Sequence, residues 1–411
     1  MRVLHINSND STGGAAIAAM RLHKVMLEAG IESTFFCLNR TINDNEHIVT
    51  IDRKTKLKVR TIDLIQQLFF KKLMLSNTKG LFSNMYFGYR IGKFINLNEY
   101  DVIYVHWINR GFLSFKGLEE LCKTGKKVFW FMHDMFPITG GCHHSFSCLL
   151  YRQNCCNGTC QYLKNNIISR MFAYKQCKKK KKILAKYNNI SFIAPSKWLY
   201  DCAKASPLSN VHKVYYIPNL LNPVDFKKQD KSFCRNVLNL PREKKLILFG
   251  ADSALINPYK GFDFLVKALD ILSSKEKYQD VELIIFGSSR NKVIEESIKY
   301  PCHFFGYLYD KYSLNLLYNA ADVFCMPSLA EAFGQTALES VFCGTPVVAF
   351  NVGGLPDFIS EQTGYLANYK DFEDFERGLE ICFNKTDIQN DKVINMCTDK
   401  NILKSHIEIW K

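Results

Sequence analysis

Glu331 and Glu339 stand seven residues apart in the segment 328–340, just after the apolar run 323–326. A strand, a loop and then Phe333-Gly334-Gln335-Thr336 leading into a helical pattern leave several unpaired backbone N–H groups at a helix N-terminus, a cradle for a diphosphate. With the helix starting near Gly334, Glu331 falls in the loop at the carboxyl end of the strand and Glu339 more than one turn inside the helix. Both carboxylates can then accept hydrogen bonds from sugar or ribose hydroxyls. The bland alternative makes Glu331 a helix cap and Glu339 a solvated helical residue. Downstream, Gly344-Thr345-Pro346 opens another apolar run, and Gly353-Gly354 follows it, either an ordinary turn or a place where backbone closely approaches a ligand. Lys260 supplies the cation that a departing nucleoside diphosphate needs in the absence of a metal, unless it is simply a surface lysine.

A second group of reactive side chains lies in the first half of the chain. Gly13 and Gly14 form a phosphate-friendly turn between the first strand and first helix, but without the Gly-x-Gly-x-x-Gly spacing of a nicotinamide or flavin site. His106 and His133 each end an apolar run, with Asp134 next in line, and strand carboxyl ends are where α/β sheets bind ligands. A lone histidine is more often structural than functional. Five cysteines crowd into residues 142–160, and Cys142, Cys148, Cys156 and Cys160, with His143 or His144 as substitutes, are spaced to hold a structural zinc, to form two disulfides or to remain thiols.

The elements that must position these residues follow from the apolar pattern. Short runs at 2–6, 34–38, 102–106, 127–133, 190–194 and 214–218, separated by helical stretches, have the signature of buried parallel strands. The rhythm restarts after the polar stretch 219–245, with runs at 246–250, 282–287, 303–305, 323–326 and 346–350. The pattern predicts an α/β protein of two doubly wound, Rossmann-like domains facing each other across a cleft. A length of 411 residues, 47% hydrophobic and 23% charged, fits two domains and excludes a disordered or coiled-coil chain.

No apolar run is long enough to span a membrane, and the N-terminus turns polar at Asn7, too early for a signal peptide. A cytoplasmic protein is expected. The net charge of +15 suits an anionic partner. Ten Lys or Arg against the single acid Asp63 lie between Arg53 and Lys93, interleaved with Ile62, Ile65, Leu68, Phe69 and Leu73 near helical spacing. Such a helix lies on an anionic bilayer, or packs on a core with a solvated cationic face. The lysine run 178–182 would extend the same surface. No helix-turn-helix, zinc-finger or RNA-stacking motif supports nucleic-acid binding.

From 246 to 366 the chain resembles the retaining glycosyltransferases of family 4, which have two Rossmann-like domains in the GT-B arrangement. The match takes in Glu331 and Glu339, the Cys-Gly-Thr-Pro-Val-Val entry at Cys343 to Val348, the Gly-Gly-x-Pro-Asp turn at Gly353 to Asp357, and Lys260-Gly261. The resemblance implies that Glu339 binds the donor's ribose, that Glu331 contacts the donor sugar, that backbone from Phe333 to Thr336 meets sugar and phosphate, and that Lys260 neutralises the diphosphate. Family members usually add an arginine a few residues before that lysine. Here Ser253 and nearby N–H groups, or Arg290, must take its place. The Gly13-Gly14 loop borders the cleft in that family, and His133-Asp134 matches its histidine that contacts donor sugar or acceptor. The segment 133–144 is similar to a bacterial branch tied to exopolysaccharide, capsule and O-antigen assembly.

These features imply domains at 1–222, with a cysteine-rich insertion at 140–162, and at 223–390, followed by a C-terminal tail or helix at 391–411 packing back toward the first. They imply a metal-independent transferase that uses a nucleotide-sugar and a lipid-linked or oligosaccharide acceptor, peripheral on the inner face of the cell membrane. A nucleotide-sugar epimerase of the same fold and a non-catalytic nucleotide-sugar-binding subunit are the competing readings.

Overall fold

The computed structural model describes residues 1–411 except 44–45, 74–80, 154, 156–159, 252, 254, 256, 309 and 386, and except the side chains of 71–73 and 170. Two compact units divide the chain: Met1–Pro218 with Ile402–Lys411, and Asn219–Asn401.

The first unit runs β1 (Arg2–Asn9), α1 (Gly14–Glu28), β2 (Glu32–Asn39), β3 (Ile48–Thr50), α2 (Arg53–Leu73), β4 (Val102–Val105), α3 (Phe115–Lys123), β5 (Lys127–Phe131), α4 (Ile167–Lys186), β6 (Ile190–Ala194), α5 (Lys197–Ala205) and β7 (Val214–Tyr216). Its seven strands are parallel in the order β3-β2-β1-β4-β5-β6-β7, with Val3 opposite Val102 and Ile6 opposite Val105. Apolar runs such as Val102–Val105 are buried along their whole length because helices cover both faces of such a sheet. Ser114, Asn166 and Ser196 start α3, α4 and α5 by accepting a backbone N–H three residues on.

The second unit runs α6 (Lys231–Val237), β8 (Lys245–Gly250), α7 (Phe262–Ser273), β9 (Val281–Phe286), α8 (Lys292–Glu296), β10 (Cys302–Phe304), α9 (Lys311–Ala320), β11 (Val323–Met326), α10 (Gln335–Phe342), β12 (Val347–Phe350), β13 (Gly364–Ala367), α11 (Phe372–Phe383) and α12 (Asp391–Cys397), and only the first residues of α13 (Asp399–Trp410) belong to it. Its six strands are also parallel, in the order β10-β9-β8-β11-β12-β13. Alternate residues feed two cores: Leu248, Phe324 and Ala349 on one face, Phe249, Cys325 and Val348 on the other. Each buried leucine, valine or phenylalanine among them contributes roughly 1.5–3 kcal/mol.

The two sheets share one topology, in which strand order reverses between β1 and β4 and again between β8 and β11. Ligands of open α/β sheets bind beyond the carboxyl ends of strands at such reversals. The last turns of α13, from Ile402, belong to the first unit. There the Trp410 indole donates to Tyr104 Oη at 2.7 Å, and that hydroxyl lies 2.9 Å from His406 Nδ1.

Differences from the sequence reading are local. β3 and β13, edge strands of three and four residues, are too short to show a periodicity. β12 begins at Val347 rather than Pro346, since proline brings no N–H to the ladder. Within the lysine run, Lys180 is fully buried while its neighbours are exposed. Its Nζ donates to the carbonyls of Phe136 and Thr139, at 2.5 and 2.9 Å, and sits 3.9 Å from the centre of the Phe136 ring. Burial lowers its pKa to about 8. One of the five lysines is thus a clamp on the turn after β5, not part of a surface.

Candidate functional site

In the second unit the loops after β8 and β11 flank the strand reversal and carry the candidate residues Lys260 and Glu331. Lys260 ends a short 3₁₀ turn, Pro258–Lys260. Its Nζ lies 2.6 Å from Glu331 Oε1, which also accepts from Ser328 Oγ at 3.1 Å. Both partners are mostly enclosed, at 21% and 13% side-chain exposure, so the pair is screened less than a surface ion pair. Glu331 is not a helix cap: α10 starts at Gln335, its N-cap is Gly334, and no side chain caps it. Gly334 has φ +101°, and a Cβ there would sit 2.4 Å from Leu355 Cδ2, so only glycine fits the turn.

The N-cap therefore offers no side-chain acceptor to the first turn of α10. In that turn, Thr336 Oγ1 is buried without a hydrogen-bond partner among the described residues. A buried orphan hydroxyl is costly unless something else satisfies it, and here it lies at a helix end suited to anions. The Phe333 side chain packs into the core against Phe358, leaving its backbone to the site. One turn in, Glu339 is 4% exposed and accepts from Tyr318 Oη at 2.9 Å.

Gly353 and Gly354 face the Glu331 backbone. Gly354 N donates to Glu331 O at 3.2 Å, and a Cβ on Gly353 would lie 1.7 Å from that same oxygen. The Gly-Gly turn thus holds the Glu331 loop in place. Arg290, a candidate substitute for the absent arginine, is instead bidentate on Glu295 at 2.8 and 2.9 Å. Ser253 has φ +57° and its carbonyl accepts from Asn257 N. Asp252, Ala254 and Ile256 lie outside the described residues.

In the first unit Gly13, at φ +88°, precedes α1, which has no side-chain cap, and a Cβ on Gly13 or Gly14 would meet nothing within 4 Å. The three strands beside the reversal bring three imidazoles into line. His133 Nε2 lies 2.9 Å from His106 Nδ1, and His106 Nε2 lies 3.0 Å from His5 Nδ1. His5 and His106 are buried and their pKa values are pushed well down, chiefly by burial. Half-buried His133 is lowered to about 4, again mainly by burial, against the opposing pull of Asp134. Nothing in the apolar pattern singles out His5, because a histidine inside an apolar strand looks structural.

Asp134 serves the scaffold. Its carboxylate accepts from Trp107 Nε1 at 3.1 Å and Phe136 N at 2.8 Å, and lies 2.5 Å from His143 Nδ1. Burial would raise its pKa, but His143 and the Phe136 N–H outweigh burial and hold it below the usual carboxylate range. The following Thr-Gly-Gly-Cys turn is gripped by Gln176 of α4, whose Nε2 donates to Gly140 O at 2.7 Å and Ser83 O at 2.8 Å.

Of the cysteine cluster, Cys142 is buried and Cys148 half-buried, and burial raises both thiols. Cys155, Cys160 and Cys148 add to burial in raising the Cys142 thiol. Cys155 was outside the ligand set read from the sequence, and its sulfur accepts from Gly140 N at 3.1 Å. Cys156 lies outside the described residues. Among the described residues, no three of His, Cys, Asp or Glu are arranged to hold a metal.

Residues 243–384 match the family described as glycosyl transferases group 1. A 41.2 kDa protein in the cps region of Klebsiella pneumoniae is 30% identical over 239 residues, 56% of this chain and 63% of that protein. The chain spans between 45% and 63% of the length of the first curated relatives it matches. Among solved structures, sucrose-phosphate synthase from Thermosynechococcus elongatus has a TM-score of 0.65 at 17% identity, covering 100% of this chain and 98% of that one. Anabaena HepE in complex with UDP and glucose has a TM-score of 0.63 at 14% identity, covering 100% and 99%. At such identities the likeness is one of fold. Over residues 243–384, which take in the six-stranded parallel sheet and the loops around Lys260 and Glu331, the second unit is similar to the group 1 glycosyl transferases.

Proposed function

We propose that the protein is a retaining, metal-independent glycosyltransferase acting on a nucleotide-sugar and a lipid-linked or oligosaccharide acceptor in the assembly of a cell-surface polysaccharide, capsule, O-antigen or exopolysaccharide. The observation that carries this reading is the Lys260–Glu331 pair beside the uncapped start of α10, at the strand reversal of the second sheet. In this reading the α10 N–H groups and Thr336 Oγ1 bind the diphosphate, and Glu339 binds the ribose. Lys260 exchanges a carboxylate for a phosphate when the donor arrives, which frees Glu331 to accept from sugar hydroxyls. As the bond from the anomeric carbon to the diphosphate breaks, Lys260 and the oriented N–H groups stabilise the charge left on the leaving group. The acceptor oxygen bonds to that carbon on the same face, and its proton passes to the departing phosphate. Neither a protein nucleophile nor a metal is required. HepE, of similar fold, holds UDP and glucose, and the Klebsiella relative lies in a cps region, which supports donor class and setting.

The same reading places the protein on the inner face of the cell membrane. On α2, Leu64, Ile65, Leu68 and Phe69 are exposed among basic residues, as are Ile167, Ile168 and Met171 at the start of α4. Phe69 and Phe70 meet Phe172 with ring centres 6.4 and 5.3 Å apart, so the two helices present one apolar, cationic face. Ile62 is half-buried, Lys79 lies outside the described residues, and so do the side chains of Lys71, Lys72 and Leu73. Among the described residues no helix is long and apolar enough to cross a membrane. An anionic bilayer suits this face, since apolar insertion and charge attraction add.

The test is a calorimetric binding screen of UDP, GDP and ADP and their sugars without added metal. Tight binding of one nucleotide, lost in Glu339→Ala, is expected. Glu331→Gln and Lys260→Ala should cut turnover by at least ~10²-fold. Binding without turnover on any acceptor would favour the non-catalytic subunit, and epimerised donor without acceptor would favour the epimerase. Sedimentation with anionic vesicles should weaken when Leu68 and Phe69 become serine, and unchanged sedimentation would remove the membrane assignment.

A further inference from the structure

The imidazole line in the first unit has an inner end that decides its outer one. His5 Nε2 lies 3.4 Å from the thioether sulfur of Met26, a residue of α1 that is fully buried. A thioether has lone pairs and no hydrogen to give, so it only accepts. His5 Nε2 therefore carries the proton, and His5 Nδ1 presents a lone pair to His106. With both histidines neutral, His106 Nε2 donates to His5, and His106 Nδ1 in turn accepts from His133 Nε2. His133 is left with a lone pair at Nδ1. That atom has no partner among the described residues and is not one of the enclosed polar atoms, and His133 is the only one of the three that keeps solvent exposure.

We propose that Met26, His5 and His106 are positioning residues that lock the tautomer of His133, so that it meets its ligand as a hydrogen-bond acceptor at Nδ1 and selects a saccharide hydroxyl over a phosphate or carboxylate oxygen. The identification of that hydroxyl as a saccharide's rests on the function proposed above; the lock itself does not. No carboxylate among the described residues hydrogen-bonds any of the three rings, since the Asp134 oxygens are engaged by Trp107, Phe136 and His143. The sulfur at the closed end does the orienting that a carboxylate does for many histidines. Because the line stops at a group that neither gives nor takes a proton, it transmits orientation and not protons. The sheet supplies the spacing: β1, β4 and β5 are adjacent, and the rings of His5 and His106, and of Phe131 and His133, stack at 5.3 and 4.8 Å between centres.

The test is long-range proton–nitrogen correlation NMR on the full chain labelled with ¹⁵N-histidine at pH 7. The expected pattern for His133 is a protonated Nε2 and a bare Nδ1, and a proton on Nδ1 would overturn the lock. Met26→Leu keeps the volume and removes the acceptor, so His133 should become a mixture of tautomers in a chain that still folds. An unchanged pattern in that variant would overturn the role of Met26. UDP-glucose, with UDP as its control, is the first ligand probe and glucose the second. A shift of the Nδ1 resonance with UDP-glucose but not UDP assigns the hydroxyl to a donor sugar, and a shift with glucose alone assigns it to an acceptor. A shift with inorganic pyrophosphate, which brings phosphate oxygens and no carbon-bound hydroxyl, would overturn the selectivity for hydroxyls. His133→Asn, whose side-chain oxygen can stand where Nδ1 was, should keep the affinity that His133→Ala loses by about fivefold to tenfold. If the nucleotide screen finds nothing while the tautomer pattern holds, the lock stands and the transferase reading falls.

Discussion

Gly353→Ala separates the two meanings of the Gly-Gly turn, ligand contact or support of Glu331. The new Cβ would be built 1.7 Å from Glu331 O, whereas real Cβ atoms essentially never come within 3.0 Å. Something must retreat by about 1.3 Å, and the nearest atoms are the backbone of Glu331 itself. The residue also sits at φ +59°, where a side chain costs about 1–2 kcal/mol. For a unit of this size that strain lowers the melting temperature by roughly 2–8 °C. A displacement of about 1 Å at a catalytic group costs about 10²-fold in rate. Calorimetric melting reads the first effect, and release of nucleoside diphosphate from the selected nucleotide-sugar reads the second. Gly30→Ala is the contrast, because Gly30 has φ +76° and a Cβ there meets nothing within 4 Å, so it should share the backbone strain in the melt and keep the parent turnover. A Gly353→Ala protein that melts lower yet turns over within threefold of the parent would refute the assignment of the turn to Glu331.

Two further predictions concern buried bases. His133, lowered to about 4, and His5 and His106, pushed well down by burial, remain neutral in the fold while the unfolded chain takes up protons from about pH 6.5 downward. Stability should therefore be full above pH 6.5 and fall as pH drops toward 4, by about 3 kcal/mol from His133 alone. Urea midpoints that do not change between pH 7 and 5 would contradict this. Lys180, lowered to about 8, loses its proton in the fold before the unfolded chain does. Between pH 8 and about 10.5 it should add stability with rising pH, by about 1.4 kcal/mol per unit relative to Lys180→Met. A parent-minus-variant difference that stays flat over that range would mean that the ammonium is not held against the Phe136 and Thr139 carbonyls as described.

The class of the fold and the local half of the candidate site are legible in the order of residues alone. Five-residue apolar runs with helices between them leave little choice but parallel sheets, because strands buried on both faces cannot afford polar positions. Glu331, Gly334, Thr336 and Glu339 belong to one loop and one helix, so their placement follows from a strand ending at Met326 and a helix starting at Gln335. Relations between distant segments were set only by tertiary structure. The Lys260 ammonium meets Glu331 across 71 positions, and His5 meets His106 across 101, since parallel pairing of non-consecutive strands brings their carboxyl ends together. Whether a polar residue faces water or core is likewise a property of packing. Lys180 looks like its exposed neighbours in the sequence, and only the carbonyls and aromatic ring around it make it a buried clamp. The thioether of Met26 is one apolar position among many along α1 until the fold sets it against His5 Nε2.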